Sequence, residues 1–166
     1  MLSRSTEQLV KLDPPKSSKW TILLVDDDPT DHKIIEIALE GTSFGGNEAE
    51  FQHAYSSAGA IEALDKHQDI AVVLLDIAME HRDSGLALIE QIRNHPSNAL
   101  ARIILVTGQS DAVPAIETVD NFDIDGYINK GAINRPDLYI AIRTAIRSFR
   151  SLKTLYDYQG SLIDMV

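Results

Sequence analysis

The stretch TILLVDDDPT, residues 21–30, decides the fold: an apolar run stops at three adjacent aspartates, followed by a proline and a threonine. A short continuous apolar run is typical of a strand that is buried on both faces of a parallel sheet. Aspartate followed by proline often starts a helix, so we expect Asp28 to cap one. One cap explains one aspartate, and Asp26 and Asp27 therefore need another role.

Similar apolar runs recur along the chain and alternate with segments of helical spacing. The predicted strands are TILLV (21–25), the edge strand EFQHAYS (50–56), IAVVLLDI (70–77), RIILVTG (102–108) and DGYINK (125–130). The predicted helices cover residues 31–40, 58–67, 85–93, 113–121 and 136 onward. Repeated βα units imply parallel strands with right-handed crossovers. We predict an α/β fold of the flavodoxin-like, doubly wound (βα)5 kind, with a parallel five-stranded sheet in the order 2-1-3-4-5.

The length of 166 residues suits one domain with short additions. Residues 1–18 contain Pro-Pro and Ser-Ser pairs without a periodic pattern, so we expect a mobile leader there. The domain itself is assigned to 19–150, and 151–166 are predicted to form a helical extension or linker. Apolar residues spaced four and three apart support this extension: Leu138, Ile142, Ala145, Phe149, Leu152 and Tyr156.

Composition excludes several classes of function. The formal charge is −10 and no block of basic residues is present, which argues against direct binding to nucleic acid. The chain has no cysteine, which excludes disulfides and thiolate chemistry. No apolar run approaches the ~20 residues of a membrane helix, so we expect a cytoplasmic protein without a membrane partner.

Polar residues end four of the predicted strands. The first strand ends at Asp26 and Asp27, the third at Asp76, the fourth at Thr107 and the fifth at Lys130. In a doubly wound sheet, ligands bind beyond the carboxyl ends of the strands, where the strand order reverses. Clustered carboxylates need a counterion, and Mg²⁺ prefers oxygen ligands and phosphate. A hydroxyl and an ammonium beside them suit phosphoryl transfer.

Four motifs in this order, VDDD (25–28), LLDIAM (74–79), VTG (106–108) and YINK (127–130), resemble the receiver domain of two-component response regulators. The resemblance covers roughly residues 20–150 and implies that Asp76 accepts the phosphoryl group. It also implies that Asp27 binds Mg²⁺ directly and Asp26 mostly through water, with Asp76 and the backbone carbonyl of Ala78 as further ligands. Thr107 and Lys130 match the family's hydroxyl and lysine, and Tyr127 matches its switch aromatic.

The resemblance implies a signalling module and not an enzyme with its own substrate. The donor would be a sensor histidine kinase or a phosphotransfer protein. Phosphorylation would move Thr107, turn Tyr127 inward and reshape the face of the fourth helix, fifth strand and fifth helix. An output domain, a protein partner or a second copy would read that face or the C-terminal helix. The stretches AYSSAGAIEAL (54–64), VTGQ (106–109) and AIRTAIRSFR (141–150) are similar to receivers that precede cyclic-dinucleotide or HD-type phosphohydrolase regions.

Two positions depart from the family pattern. Receivers usually have proline after the lysine, often with a cis bond, whereas Gly131 follows Lys130 here. A cis bond before a residue other than proline costs ~3 kcal/mol, so we expect either a trans bond with a rerouted loop or a strained bond. Glu80 replaces another family proline, and the loop from Asp76 to Gly85 is one residue longer than usual.

Two alternatives remain open. Asp26, Asp28 and Thr30 also spell the Asp-x-Asp-x-Thr motif of haloacid-dehalogenase-type phosphatases, in which Asp26 would be the nucleophile. A receiver-like binding module that takes no phosphate is the other, and Gly131 is the feature in its favour. The histidines lack the spacing of a helical zinc site, so we interpret all five as non-ligands: His32, His53, His67, His81 and His95.

Overall fold

The computed structural model describes residues 18–79, 82–108 and 120–164. Its strands are β1 (Trp20–Val25), β2 (Ser43–Phe44), β3 (Asn47–Ala54), β4 (Val72–Leu75), β5 (Arg102–Thr107) and β6 (Gly126–Asn129). Its helices are α1 (Pro29–Ala38), α2 (Ser57–Lys66), α3 (Arg82–Arg93) and α4 (Arg135–Asp164), with a 3-10 turn at Lys130–Ala132. The leader expected at 1–18 and the helix expected at 113–121 lie almost wholly outside the described residues.

The strands form a six-stranded sheet in the order β2-β3-β1-β4-β5-β6. The α/β class is confirmed. Five strands are parallel and lie in the order β3-β1-β4-β5-β6, which corresponds to the predicted 2-1-3-4-5. The predicted total of five strands in the sheet is wrong, because β2 adds a sixth, antiparallel strand at the edge. Gly45 and Gly46 both have positive φ and form the tight reversal between β2 and β3. Phe44 is fully buried and stacks on Tyr139 of α4, and Trp20 Nε1 donates to the Phe44 carbonyl at 2.9 Å.

Each face of the sheet carries its own apolar layer. Successive strand residues point to opposite faces, so Ile22 and Leu24 join one layer while Leu23 and Val25 join the other. Residues of α1 and α4 pack in the first layer, and residues of α2 and α3 pack in the second. Because β1 and β4 are buried on both faces, the first polar residues after them emerge at one well-supported edge.

The last helix, α4, is 30 residues long and changes character along its length. Its first half is buried through Leu138, Ile142, Ala145, Ile146 and Phe149. Leu152 is half-buried, and beyond it the large apolar side chains are exposed: Leu155, Tyr156, Tyr158, Leu162 and Ile163. Lys153 pairs with Asp69 at 3.2 Å and so fastens the start of this exposed part to the domain. Within 18–79, 82–108 and 120–164, no helix combines the length and the apolar character that crossing a membrane requires.

The loop that follows β4 packs tightly against α3 at Gly85. A Cβ atom on Gly85 would lie 2.7 Å from the Ile77 Cα and 3.0 Å from its carbonyl oxygen. Both neighbours are backbone atoms, so neither can turn aside as a flexible side chain would. Glycine at this position therefore lets α3 hold the loop that carries Asp76.

We expect Gly85→Ala to destabilise the domain by about 1–3 kcal/mol, because the new methyl group forces backbone apart. The matched control is Gly160→Ala in α4, where nothing lies within 4 Å of the new methyl group. That change should leave the domain intact and stabilise the helix by up to about 1 kcal/mol. Urea unfolding measures both effects, and equal midpoints for the two variants would contradict the close approach at Ile77.

Candidate functional site

Two buried aspartates lie side by side at the carboxyl edge of the sheet. Val25 and Leu75 are register partners in neighbouring parallel strands, so the residues that follow them, Asp26 and Asp76, emerge together. The two residues are only 6 % and 5 % exposed. Like charges so close to each other and so far from water require compensation.

The first oxygen of each carboxylate is fixed by the loop that follows it. The Asp28 backbone N–H donates to Asp26 Oδ1 at 2.9 Å, and the Ala78 backbone N–H donates to Asp76 Oδ1 at 2.9 Å. Both contacts span two residues and are typical of aspartates at turns. The second oxygen of each carboxylate is thereby turned toward a common point.

The ammonium group of Lys130 occupies that point. Its Nζ lies 2.7 Å from Asp26 Oδ2, 2.7 Å from Asp76 Oδ2 and 2.9 Å from Asp31 Oδ2. A lysine has three donors, so each donor finds one carboxylate. Burial lowers the pKa of Lys130, but the hydrogen bonds to Asp26, Asp76 and Asp31 outweigh burial and raise the pKa above its ordinary value.

The loop after Lys130 resolves the question that Gly131 raises. The Lys130–Gly131 peptide bond is trans, and residues Lys130–Ala132 form a 3-10 turn. Asn129 caps this turn, because its Oδ1 accepts from the Gly131 N–H at 2.8 Å. The rerouted loop nevertheless brings Lys130 to the two buried aspartates.

The acidic group has the donor set that a hard divalent cation prefers. Asp26, Asp27 and Asp76 each place a carboxylate oxygen within 4.8 Å of the others, and Asp27 is exposed to solvent. Asp26, Asp31 and Asp76 contact the one ammonium, and Asp27 lies beside Asp26 and Asp76, so negative charge is in excess. All ligand atoms are oxygens, as Mg²⁺ requires, and the residues present therefore fit this ion.

Thr107 and Tyr127 lie on the neighbouring strands β5 and β6. Thr107 is completely buried, and its Oγ1 has no hydrogen-bond partner within the described part of the chain. Such a hydroxyl is costly unless a ligand satisfies it, which suits an incoming anion. Tyr127 is 40 % exposed. Its role as a switch, like the ligand role of the Ala78 carbonyl, stays a prediction.

A family model described as "Response regulator receiver domain" matches residues 22–143. The chain belongs to this family. It is 31 % identical over 147 residues to the 3'3'-cGAMP-specific phosphodiesterase 2 of Vibrio cholerae, a match that covers 89 % of this chain and 28 % of that relative. The chain thus spans little more than a quarter of the relative's length.

Two solved structures share the fold of this receiver. A response regulator receiver domain from Clostridium thermocellum is 27 % identical, with a TM-score of 0.66 over 80 % of this chain and 98 % of that one. A structure titled as an adenylate cyclase from Rhodopirellula baltica is 21 % identical, with a TM-score of 0.71 over 86 % of this chain and 98 % of that one.

The position of Asp28 in the receiver fits a helix cap and offers no support for the phosphatase motif. Its Oδ1 accepts from the Thr30 N–H at 2.9 Å at the start of α1, and its side chain is exposed. The carboxylate group that could hold a metal consists of Asp26, Asp27 and Asp76 among the described residues. Asp28 and Thr30 are therefore explained by the start of the helix.

Asp31 and a histidine pair were missed by the sequence analysis. Asp31 is the third residue of α1, a position whose acidic side chain often reaches back toward the preceding loop, and this signal was available. His32 Nε2 lies 2.7 Å from the Asp26 carbonyl oxygen, which can only accept, so Nε2 is the donor. His32 Nδ1 lies 2.8 Å from His53 Nδ1, and His53 Nε2 lies 2.7 Å from a Glu36 oxygen.

Protonation of Asp26 should control metal binding to the receiver. Burial raises the pKa of Asp26 to about 6; the hydrogen bond from Lys130 opposes this rise, and the Asp76 charge adds to it. A protonated carboxyl group is a poor ligand, so Mg²⁺ affinity should increase as the pH rises through about 6 and level off above about 7.

Calorimetric titration with Mg²⁺ at a series of pH values measures this effect. Below the pKa, the affinity should fall by up to about tenfold per pH unit. Asp26→Asn should bind Mg²⁺ more weakly and lose the dependence in this range. An unchanged pH profile in Asp26→Asn would assign the titration to another group.

Proposed function

We propose that this receiver accepts a phosphoryl group on Asp76 from a sensor histidine kinase or a phosphotransfer protein in a Mg²⁺-dependent reaction. The observation that carries the proposal is the convergence of Asp76 Oδ2, Asp26 Oδ2 and the Lys130 ammonium at one sheet edge. In the reaction, a carboxylate oxygen of Asp76 forms a bond to phosphorus. The bond from phosphorus to the donor's imidazole nitrogen breaks, and its electron pair stays with the imidazole.

The other residues of the site have separate roles in this proposal. Mg²⁺, held by Asp26, Asp27, Asp76 and the Ala78 carbonyl, would neutralise charge on the transferring group. Lys130 pairs with a second phosphoryl oxygen, and the Thr107 hydroxyl, which has no partner among the residues that the structure describes, donates to a third. Asp26 thus belongs to the ligand set and is not the nucleophile.

The proposed switch involves residues of the neighbouring strands β5 and β6. When Thr107 moves toward the phosphoryl group, the space that it leaves lies beside β6, where Tyr127 is register partner of Leu105. Tyr127 would then turn inward from its exposed position and change the surface of β6 and α4. Hydrolysis of the acyl phosphate resets the surface.

The proposal predicts that acetyl phosphate with Mg²⁺ adds one phosphoryl group to the wild-type protein and none to Asp76→Ala. Intact-protein mass spectrometry measures the addition, and beryllofluoride provides a stable substitute. Asp28→Asn is the matched control, because asparagine also caps helices and the charge change is the same. Modification that persists in Asp76→Ala would overturn the assignment. Turnover of phosphate esters that depends on Asp26 and not on Asp76 would favour a phosphatase.

The likeness to a cyclic-dinucleotide phosphodiesterase supports a specific output. The resemblance of the Vibrio cholerae relative extends over 147 residues, more than the matched receiver domain itself. We infer that this receiver controls a phosphohydrolase of that type, either as a further domain or as a separate partner. The proposed phosphoryl donor obtains its phosphoryl group from ATP, so we also infer a cytoplasmic location for the receiver and its donor.

We also infer that the exposed part of α4 pairs with a second copy of this chain. Leu155, Tyr156, Leu162 and Ile163 form a stripe with helical spacing that continues the buried seam of the first half of α4. Most helical stability in proteins comes from packing, which the exposed part of α4 lacks without a partner, and Gly160 weakens the helix further. Pairing would bury the stripe and align two receivers.

The tyrosines of this segment offer a matched test. Tyr156 and Tyr158 are both 62 % exposed, but Tyr156 lies on the stripe and Tyr158 lies beside it. Tyr156→Ser should weaken self-association by roughly tenfold, because the exposed Tyr156 ring would become buried when the two helices pair. Tyr158→Ser should have little effect. Sedimentation equilibrium measures both, and equal effects would argue against a helical pair.

A further inference from the structure

Asp31 contacts the site without belonging to the carboxylate group that could hold a metal. It lies in the first turn of α1, and its Oδ2 accepts from Lys130 Nζ at 2.9 Å. Its side chain is 22 % exposed, the same fraction as that of Lys130. The sequence gap of 99 residues between them makes this contact a long-range tie between α1 and the end of β6.

The other two partners of Lys130, Asp26 and Asp76, have further roles in the proposed reaction. Asp26 and Asp76 both belong to the group of carboxylates that could ligate a cation, and Asp76 is also the proposed acceptor. When these side chains serve as ligands and nucleophile, they have to release the ammonium group that now lies 2.7 Å from each of them. Asp31 has no competing task in the described part of the site.

We propose that Asp31 is a positioning residue that keeps Lys130 in the site while Asp26 and Asp76 exchange it for a cation and a phosphoryl group. This inference rests on the proposed function. A lysine side chain has four flexible methylene groups and loses much rotamer freedom when it is fixed. With Asp31 as a constant partner, one donor of the ammonium stays bound and the other donors are free to meet phosphoryl oxygens.

Hydrogen bonds connect the turn that carries Asp31 to the loop after β1. Asp28 caps α1 three residues before Asp31, and the neighbouring His32 is buried and donates to the Asp26 carbonyl. The first turn of α1 is therefore tied to the loop that carries the acidic pair. These contacts hold a carboxylate on this turn near the end of β1, as a positioning role demands.

Substitution of Asp31 by asparagine tests the inference, with Asp28→Asn as the matched control. Both changes remove one negative charge from the start of α1. Of the two residues, Asp31 contacts Lys130, whereas Asp28 caps the helix. In Asp31→Asn, Lys130 keeps only Asp26 and Asp76 as charged partners and resists displacement. We expect calorimetric Mg²⁺ affinity to fall by roughly tenfold in Asp31→Asn and less than about twofold in Asp28→Asn.

A second measurement observes Lys130 directly. The ammonium protons of Lys130 should give a ¹⁵N-coupled NMR signal in the wild-type protein, because three hydrogen bonds slow their exchange with water. The signal should persist when the protein is saturated with Mg²⁺ and beryllofluoride. It should broaden beyond detection in Asp31→Asn under the same conditions and return in Asp31→Glu, which restores the carboxylate.

The outcomes separate this inference from the proposed function. If Asp31→Asn matches Asp28→Asn in Mg²⁺ affinity and keeps the Lys130 signal, the positioning role is overturned, while phosphorylation of Asp76 remains intact. If Asp31→Asn and Asp28→Asn lower the melting temperature equally and leave Mg²⁺ affinity unchanged, Asp31 only stabilises the helix. This result also overturns the positioning role. If the wild type takes no phosphoryl group, the proposed function fails independently of Asp31.

Discussion

The structure depends on the balance of charge around one ammonium group. Asp26 and Asp76 are buried together at the ends of adjacent strands, with carboxylate oxygens within 4.8 Å of each other, and like charges at such a separation repel strongly away from water. Lys130 offsets this repulsion and ties β1, β4, β6 and the first turn of α1 to one another. Because the carboxylates still outnumber the ammonium, the same edge keeps an excess of negative charge, which is the electrostatic condition for a cation site.

Most of the fold follows from patterns that are local in sequence. The central strands β1, β4 and β5 are continuous apolar runs because both of their faces are covered, and this environment leaves a clear trace in the sequence. The two-residue strand β2 leaves no such trace. Its place depends on Phe44 docking against Tyr139, a residue far along the chain, although a glycine pair such as that at 45 and 46 is typical of a tight turn between two strands.

The site was predictable where it follows from topology and unpredictable where it follows from side-chain geometry. Parallel strands bring their carboxyl ends to one edge, so Asp26, Asp76 and Thr107 could be grouped from the strand order alone. The contact between Lys130 and Asp31 could not be derived in this way, because it requires the phase of α1 and the path of the loop at Gly131. The sequence could not decide whether the Lys130–Gly131 bond is trans or strained. The structure shows a trans bond, followed by a 3-10 turn that Asn129 caps.

The indole of Trp20 belongs to the opposite end of the first strand, where it holds the β2 hairpin. Five residue steps separate it from Val25, a distance of roughly 17 Å along an extended chain. Trp20 is also the only tryptophan in the sequence. Its fluorescence therefore reports how the hairpin is seated on the last helix and is a poor optical reporter of events at the acidic edge, for which a chromophore has to be introduced near that edge.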